Sequence, residues 1–188
     1  MLHGFTVTGK AWNPLIEDLS KKYRLIVPDL RGHGYSTNPS QIYNHKLSAV
    51  DMYGLMDRLN INNFNAIGQS GGAMALIHMA TMDTTRISKL ILVGGTPYLT
   101  EESRKIQRIS TYEYVSENEP GWMDMMMQLH PGGEQQIRIL LNQFRKMANT
   151  YDELNFTPPY LNIINCPTLI IHGDRDPQFP IDIPILMY

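Results

Sequence analysis

Apolar residues recur along the chain in two rhythms. Four short runs are continuous: Arg24-Leu25-Ile26-Val27, Asn65-Ala66-Ile67-Gly68, Lys89-Leu90-Ile91-Leu92-Val93 and Thr168-Leu169-Ile170-Ile171. Runs of that length, unbroken by alternating polar positions, predict strands buried on both faces, as in a parallel sheet. A fifth strand is expected to end at Leu2. Between the runs the period lengthens. Met52, Leu55, Met56 and Leu59 stand at i, i+3, i+4 and i+7 and predict a helix with one apolar face. Ala73 to Ala80 is apolar nearly all round, which predicts a helix packed inside the fold. Strand and helix patterns in alternation predict βαβ units, hence an α/β fold with a mostly parallel, doubly wound sheet.

Residues 98–160 break the alternation. They hold no strand candidate, and two stretches carry helical spacing: Trp122, Met125, Met126, Leu129, and then Ile137, Leu140, Leu141, Phe144. A structureless loop of this length would be improbable. A helical cap inserted between two late strands is expected, with residues 1–97 and 161–188 forming the core. Its apolar stripes would pack downward and roof a pocket at the same time.

At 188 residues, 43% hydrophobic and 18% charged, the composition is that of one globular domain. A net charge of −2, with no Lys/Arg run beyond Lys21-Lys22, argues against nucleic acid as a partner. No apolar run approaches bilayer length, and Met1-Leu2-His3-Gly4 does not open a signal peptide, so no membrane partner is expected. Cys166 is the only cysteine, which excludes an internal disulfide and suits a reducing, cytoplasmic setting. No ligand cluster stands at metal spacing, and neither metal nor organic cofactor is expected.

Chemistry concentrates at three places. Gly68-Gln69-Ser70-Gly71-Gly72 fits G-x-S-x-G, directly after a predicted strand and opening a predicted helix. A turn that sharp exposes the serine hydroxyl above the sheet and leaves no room for side chains beside it, hence the glycines. Leu2-His3-Gly4-Phe5 closes the first expected strand, and the N–H groups of Phe5 and Gly71 could together hold an oxyanion. His172-Gly173-Asp174-Arg175-Asp176-Pro177 follows the last strand, where a carboxylate can orient a histidine. Asp174 and Asp176 both qualify. Whichever does not serve would cap its own turn.

Together with Pro28-Asp29-Leu30-Arg31-Gly32-His33-Gly34-Tyr35-Ser36, these motifs resemble, in order, those of the α/β-hydrolase superfamily, especially its esterase, perhydrolase and proline-iminopeptidase-like branch. The resemblance implies a serine hydrolase of carboxylic esters or related acyl compounds. Ser70 would be the nucleophile, Phe5 and Gly71 the oxyanion donors, and Asp176, the second aspartate of its loop, the triad acid. His3, Gly4, Gln69 and Trp122 are expected around a small-molecule acyl substrate. A dehalogenase or epoxide hydrolase would carry a carboxylate where Ser70 stands.

The family pattern also implies an N-terminal hairpin, and a histidine after the acid. No histidine follows His172. None of the other five stands in the sequence as a convincing base: His3 and His33 lie in loops, His78 reads as a satisfied core residue, and His45 and His130 lack any motif. The expectations are that the 188 residues alone hydrolyse esters poorly, that they are part of a longer protein, and that exposed sheet edges favour homodimerisation. The rival class is a ligand- or partner-binding protein that keeps this fold without the chemistry.

Overall fold

The computed structural model describes residues 1–187. The chain opens with a 3-10 turn at Gly9–Trp12 and helix α1, Asn13–Ser20. Helix α2, His45–Arg58, starts where the Asn44 side chain accepts the Leu47 N–H, an N-cap that fixes the first turn. Its predicted face points inward: Met52 and Met56 are buried, Leu55 and Leu59 half-buried. Strand β1, Phe64–Gln69, runs into α3, Gly71–Met82, whose residues from Gly71 to Ala80 are all buried. Strand β2, Ile87–Val93, follows.

The chain then enters the expected helical stretch with α4, Glu101–Ile109, α5, Tyr112–Asn118, α6, Pro120–Leu129, and α7, Gly133–Met147. Thr100 and Thr111 cap α4 and α5 through their hydroxyls. A short α8, Pro158–Leu161, leads to β3, Thr168–Ile171, and α9, Asp182–Met187, ends the described residues.

The three strands form a parallel sheet in the order β1-β2-β3. Gly68 pairs with Leu92 and Leu92 with Ile170, so the carboxyl ends of all three strands lie along one edge of the sheet. Leu2 extends the sheet beyond β1: its N–H donates to Ile67, its carbonyl accepts from Gln69, and it bridges Gly68 in parallel. Leu30, Leu76, Ile77, Leu90 and Leu92, each at most 2% exposed, form the centre of the core, and Cys166 packs half-buried at its margin. Among the described residues no helix is long and apolar enough to cross a membrane.

Two expectations need correction. Arg24–Val27 is not a strand. A strand exists only through pairing, and among the described residues this run makes one backbone bond, from the Met1 amino group to the Ile26 carbonyl. In α6 the buried positions are Met123 and Met126, whereas Met125 is 36% exposed. The apolar face is therefore turned from the stripe read in the sequence. On α7 the stripe is as predicted, with Ile137, Leu140, Leu141 and Phe144 all buried. Residues 98–160 carry helices α4 to α7 and most of α8, with a non-helical segment at 148–157 and one antiparallel bridge, Tyr98 to Asn155.

Candidate active site

The junction of β1 and α3 holds the most strained residue of the site. Ser70 has φ 50° and ψ −119°, a conformation that costs a non-glycine residue of order 1–3 kcal/mol and persists only where its surroundings impose it. Those surroundings are visible. Ser70 N–H donates to the Val93 carbonyl of β2, and the Ser70 carbonyl accepts from Met74 to begin α3. A Cβ on Gly68 would stand 2.6 Å from the Gly72 carbonyl, and one on Gly72 2.4 Å from the Leu2 carbonyl oxygen. Both glycines are required because backbone meets backbone at this turn.

The loop after Leu2 lies against the serine. A Cβ on Gly4 would be 3.3 Å from Ser70 Cβ, and one on Gly71 would be 3.4 Å from Phe5 N. Phe5 N and Gly71 are thus neighbours at the start of α3, where the free N–H groups of a helix favour negative charge. Ser70 is half-buried and Gln69 exposed. No hydrogen bond reaches the Ser70 hydroxyl from the described residues.

His3 was expected to face substrate and does not. It is wholly buried; Nδ1–H donates to the Gly4 carbonyl at 2.7 Å and Nε2 accepts the Leu30 N–H at 2.8 Å. Burial pushes its pKa down to about 4, so it is a neutral support beneath the loop. His33 plays the same part: Nε2 accepts from Thr6 N–H and Nδ1–H donates to the Arg31 carbonyl, with burial holding it well below the usual histidine range. Asp29 fixes the neighbouring loop by accepting the N–H groups of Gly9 and Tyr35. Trp122 of α6 donates Nε1–H to Thr6 Oγ1 at 3.0 Å, which ties α6 to the loop bearing Phe5. Phe5 itself stacks on Phe144 of α7 at 5.2 Å.

Asp176 follows β3, which lies two strands from β1 in the sheet, so the strand ends that lead to Ser70 and to the Asp176 loop are about 10 Å apart. Turn-capping was expected of the aspartate outside the triad. It belongs to Asp176, whose Oδ1 accepts the N–H groups of Gln178 and Phe179. Asp174 is exposed. His172 donates Nε2–H to the Phe179 carbonyl at 2.6 Å, closing the same loop.

Two histidines without sequence context prove to be connected. His45, first residue of α2, places Nδ1 3.0 Å from the Glu153 carboxylate, and His78 of α3 places Nε2 3.6 Å from the same group. His78 Nε2 has no hydrogen bond among the described residues, so it is not the satisfied core histidine expected. Glu153 gave no local signal: its partner lies 108 positions away. Among the described residues no group of three or more His, Cys, Asp or Glu could hold a metal ion.

The chain resembles known hydrolases over nearly its whole length. It is 26% identical over 203 residues to a serine hydrolase (BPHL) of Mus musculus, a match covering 96% of this chain and 63% of that protein. The chain thus spans less than two thirds of that relative's length. It is 24% identical to a 2-hydroxymuconate semialdehyde hydrolase of Pseudomonas sp., covering 96% of the chain and 71% of the relative. Among solved structures, a 2-hydroxy-6-oxo-6-phenylhexa-2,4-dienoate hydrolase from Rhodococcus sp. superposes with a TM-score of 0.76 at 22% identity, covering 99% of this chain and 75% of that one. These relatives are hydrolases. A sequence model of the alpha/beta hydrolase fold matches residues 1–130, more than two thirds of the chain, and the chain therefore belongs to the α/β-hydrolase family.

Proposed function

We propose that the protein is a serine hydrolase of carboxylic esters or related acyl compounds, with Ser70 as nucleophile. One observation carries the reading: a serine held at positive φ, at a strand-to-helix turn, where the backbone of Phe5 and Gly71 lies side by side. In the reaction Ser70 Oγ attacks the substrate carbonyl, its proton passes to a base, and the carbonyl oxygen becomes an oxyanion held by the N–H groups of Phe5 and Gly71. Collapse expels the alcohol, which takes the proton. Water then releases the acid and restores the serine. Asp176 keeps Oδ2 free of its turn, available to orient the imidazole base that the family pattern implies. Gly4 packs against Ser70 so that a planar acyl group can approach, and Gln69, exposed beside the nucleophile, and Trp122, anchored on Thr6, border the same approach.

A fluorophosphonate tests this directly, since the serine oxygen displaces fluoride from phosphorus. Covalent mass gain at Ser70, absent from Ser70→Ala, together with ester hydrolysis lost in the same variant, is the expected result. Hydrolysis that survives Ser70→Ala would overturn the assignment. A chain that neither labels nor turns over esters, yet binds acyl compounds, would be the non-catalytic binding protein instead.

A further inference from the structure

Glu153 is a cap residue between α7 and α8, and its side chain is only 9% exposed. Oε1 accepts the backbone N–H groups of His45 at 2.5 Å and Lys46 at 3.2 Å, while the two oxygens lie 3.2 and 3.0 Å from His45 Nδ1. His78 Nε2 approaches from α3. Helix capping alone does not explain this arrangement, because Asn44 already caps α2 through Leu47. Burying a carboxylate is costly unless it is paired. Burial pushes Glu153 up, but the two histidines and the donors around it outweigh that and hold it well below the usual carboxylate range. An ionised carboxylate only accepts, so His45 must donate from Nδ1. That leaves Nε2 to face elsewhere.

It faces the elbow. Nε2 lies 3.6 Å from the point where a Gly71 Cβ would stand, and Phe5 N lies 3.4 Å from the same point. We propose that Glu153 and His45 are a positioning pair for the oxyanion site, the cap's carboxylate holding the imidazole so that Nε2 abuts the Gly71–Phe5 donors. The inference rests on the reading of Ser70 as nucleophile. With Nδ1–H committed to the carboxylate, the ring is held in one orientation, as in histidine–carboxylate pairs elsewhere. The contact of the ring with Gly71 then couples the placement of Glu153 to the geometry of the two donors where the oxyanion forms. The remaining titratable neighbours are His78, Tyr43 (its ring 5.9 Å from that of His45), and Lys46 and Asp152, which line an open cleft of about 300 Å³ with Glu153.

The test uses the full chain with Glu153→Gln, His45→Gln and the double variant. Readouts are kcat and KM on 4-nitrophenyl acetate, the rate of fluorophosphonate labelling, and melting temperature. Each single variant is expected to lose about tenfold or more in kcat and in labelling rate, with KM changed less than about twofold, as for loss of transition-state stabilisation. The double variant should lose no more than the worse single, because the two act as one unit. Nitrogen-15 spectra of the unmodified chain should show His45 as the Nδ1–H tautomer, with its ring signals shifting when Ser70 is phosphonylated. Variants that melt earlier but keep kcat, or a His45 signal indifferent to the adduct, would overturn the proposal. If Glu153→Gln does not fold, Glu153→Asp keeps the charge at shorter reach and must show the same loss in kcat. Persistence of activity in Ser70→Ala would defeat the nucleophile reading instead, and is read separately.

Discussion

Gly72 sits where the helix after Ser70 passes under the Leu2–Phe5 loop, and replacing it with alanine probes how tightly the two are bound together. The added Cβ would lie 2.4 Å from the Leu2 carbonyl oxygen, 2.6 Å from the Leu2 carbonyl carbon and 2.6 Å from the His3 carbonyl oxygen. Non-bonded carbon contacts are comfortable near 3.5 Å, so the overlap is about 1 Å and falls entirely on backbone. Alanine is the better helix former by up to about 1 kcal/mol, whereas overpacking a close contact costs about 1–3 kcal/mol, so the net effect is a destabilisation of about 1–2 kcal/mol. For a domain of this size that lowers the melting temperature by roughly 2–8 °C. The Leu2–Phe5 segment must also move by a sizeable fraction of an ångström, and misplacement on that scale is expected to slow the reaction at Ser70 by about a hundredfold. Gly54, inside α2, is the control: a Cβ there meets nothing within 4 Å, so Gly54→Ala should stabilise by about 0.5–1 kcal/mol with unchanged labelling of Ser70. Thermal melts and fluorophosphonate labelling rates of the two variants decide the matter. A Gly72→Ala protein that melts and labels like the parent would refute the close-approach argument.

Three further outcomes follow from packing and charge. Unfolded His3 binds a proton near pH 6.5 that the folded residue refuses until about 4, so its contribution is complete above 6.5 and is lost as pH falls through that window, by up to about 3 kcal/mol; His33 acts in the same direction. Urea unfolding between pH 7.5 and 4.5 should show stability falling steadily, and a rise on acidification would contradict it. Leu140 is fully buried and touches the Gly32 loop across the cap–core boundary, so Leu140→Ala should cost about 2–5 kcal/mol by chemical denaturation, with a loss under 1 kcal/mol counting against it. The edge strand β3 leaves Leu169 and Ile171 about half exposed, so the 188-residue chain should self-associate at micromolar concentration and Leu169→Lys should weaken that association in size-exclusion chromatography; a parent that elutes as a monomer would argue that the edge is already protected.

What could be read in the sequence follows from the range of the interactions that decide it. β1, β2 and β3 were legible as continuous apolar runs, although burial on both faces, which such runs predict, is not what β3 shows, with Leu169 and Ile171 about half exposed on the sheet edge; α3 was legible because full burial leaves no polar stripe. The turn at Ser70 was legible for a related reason: steric crowding there is local, and Gly68 and Gly72 record it in the chain itself. Arg24–Val27 shows the limit. Its composition is that of a strand, but pairing is a property of two segments, and among the described residues Met1 supplies the one backbone bond to it. Met125 shows a smaller one, since successive helical residues differ by about 100° and two adjacent methionines offer alternative faces that only the packed cap can choose between. Asp174 and Asp176 were indistinguishable in principle, because an aspartate before Pro-Gln caps a turn as readily as it orients a histidine. Glu153 was beyond reach altogether. Nothing in Tyr151-Asp152-Glu153 distinguishes it from a solvated acid, and its meaning depends on the cap folding back so that one carboxylate meets the amides of His45 and Lys46 and two imidazoles. Groups made by the tertiary fold are therefore where the sequence motif understates the site. The G-x-S-x-G turn specifies where Ser70 stands, while the charged groups near it acquire their partners only when the segment carrying Glu153 packs against α2 and α3.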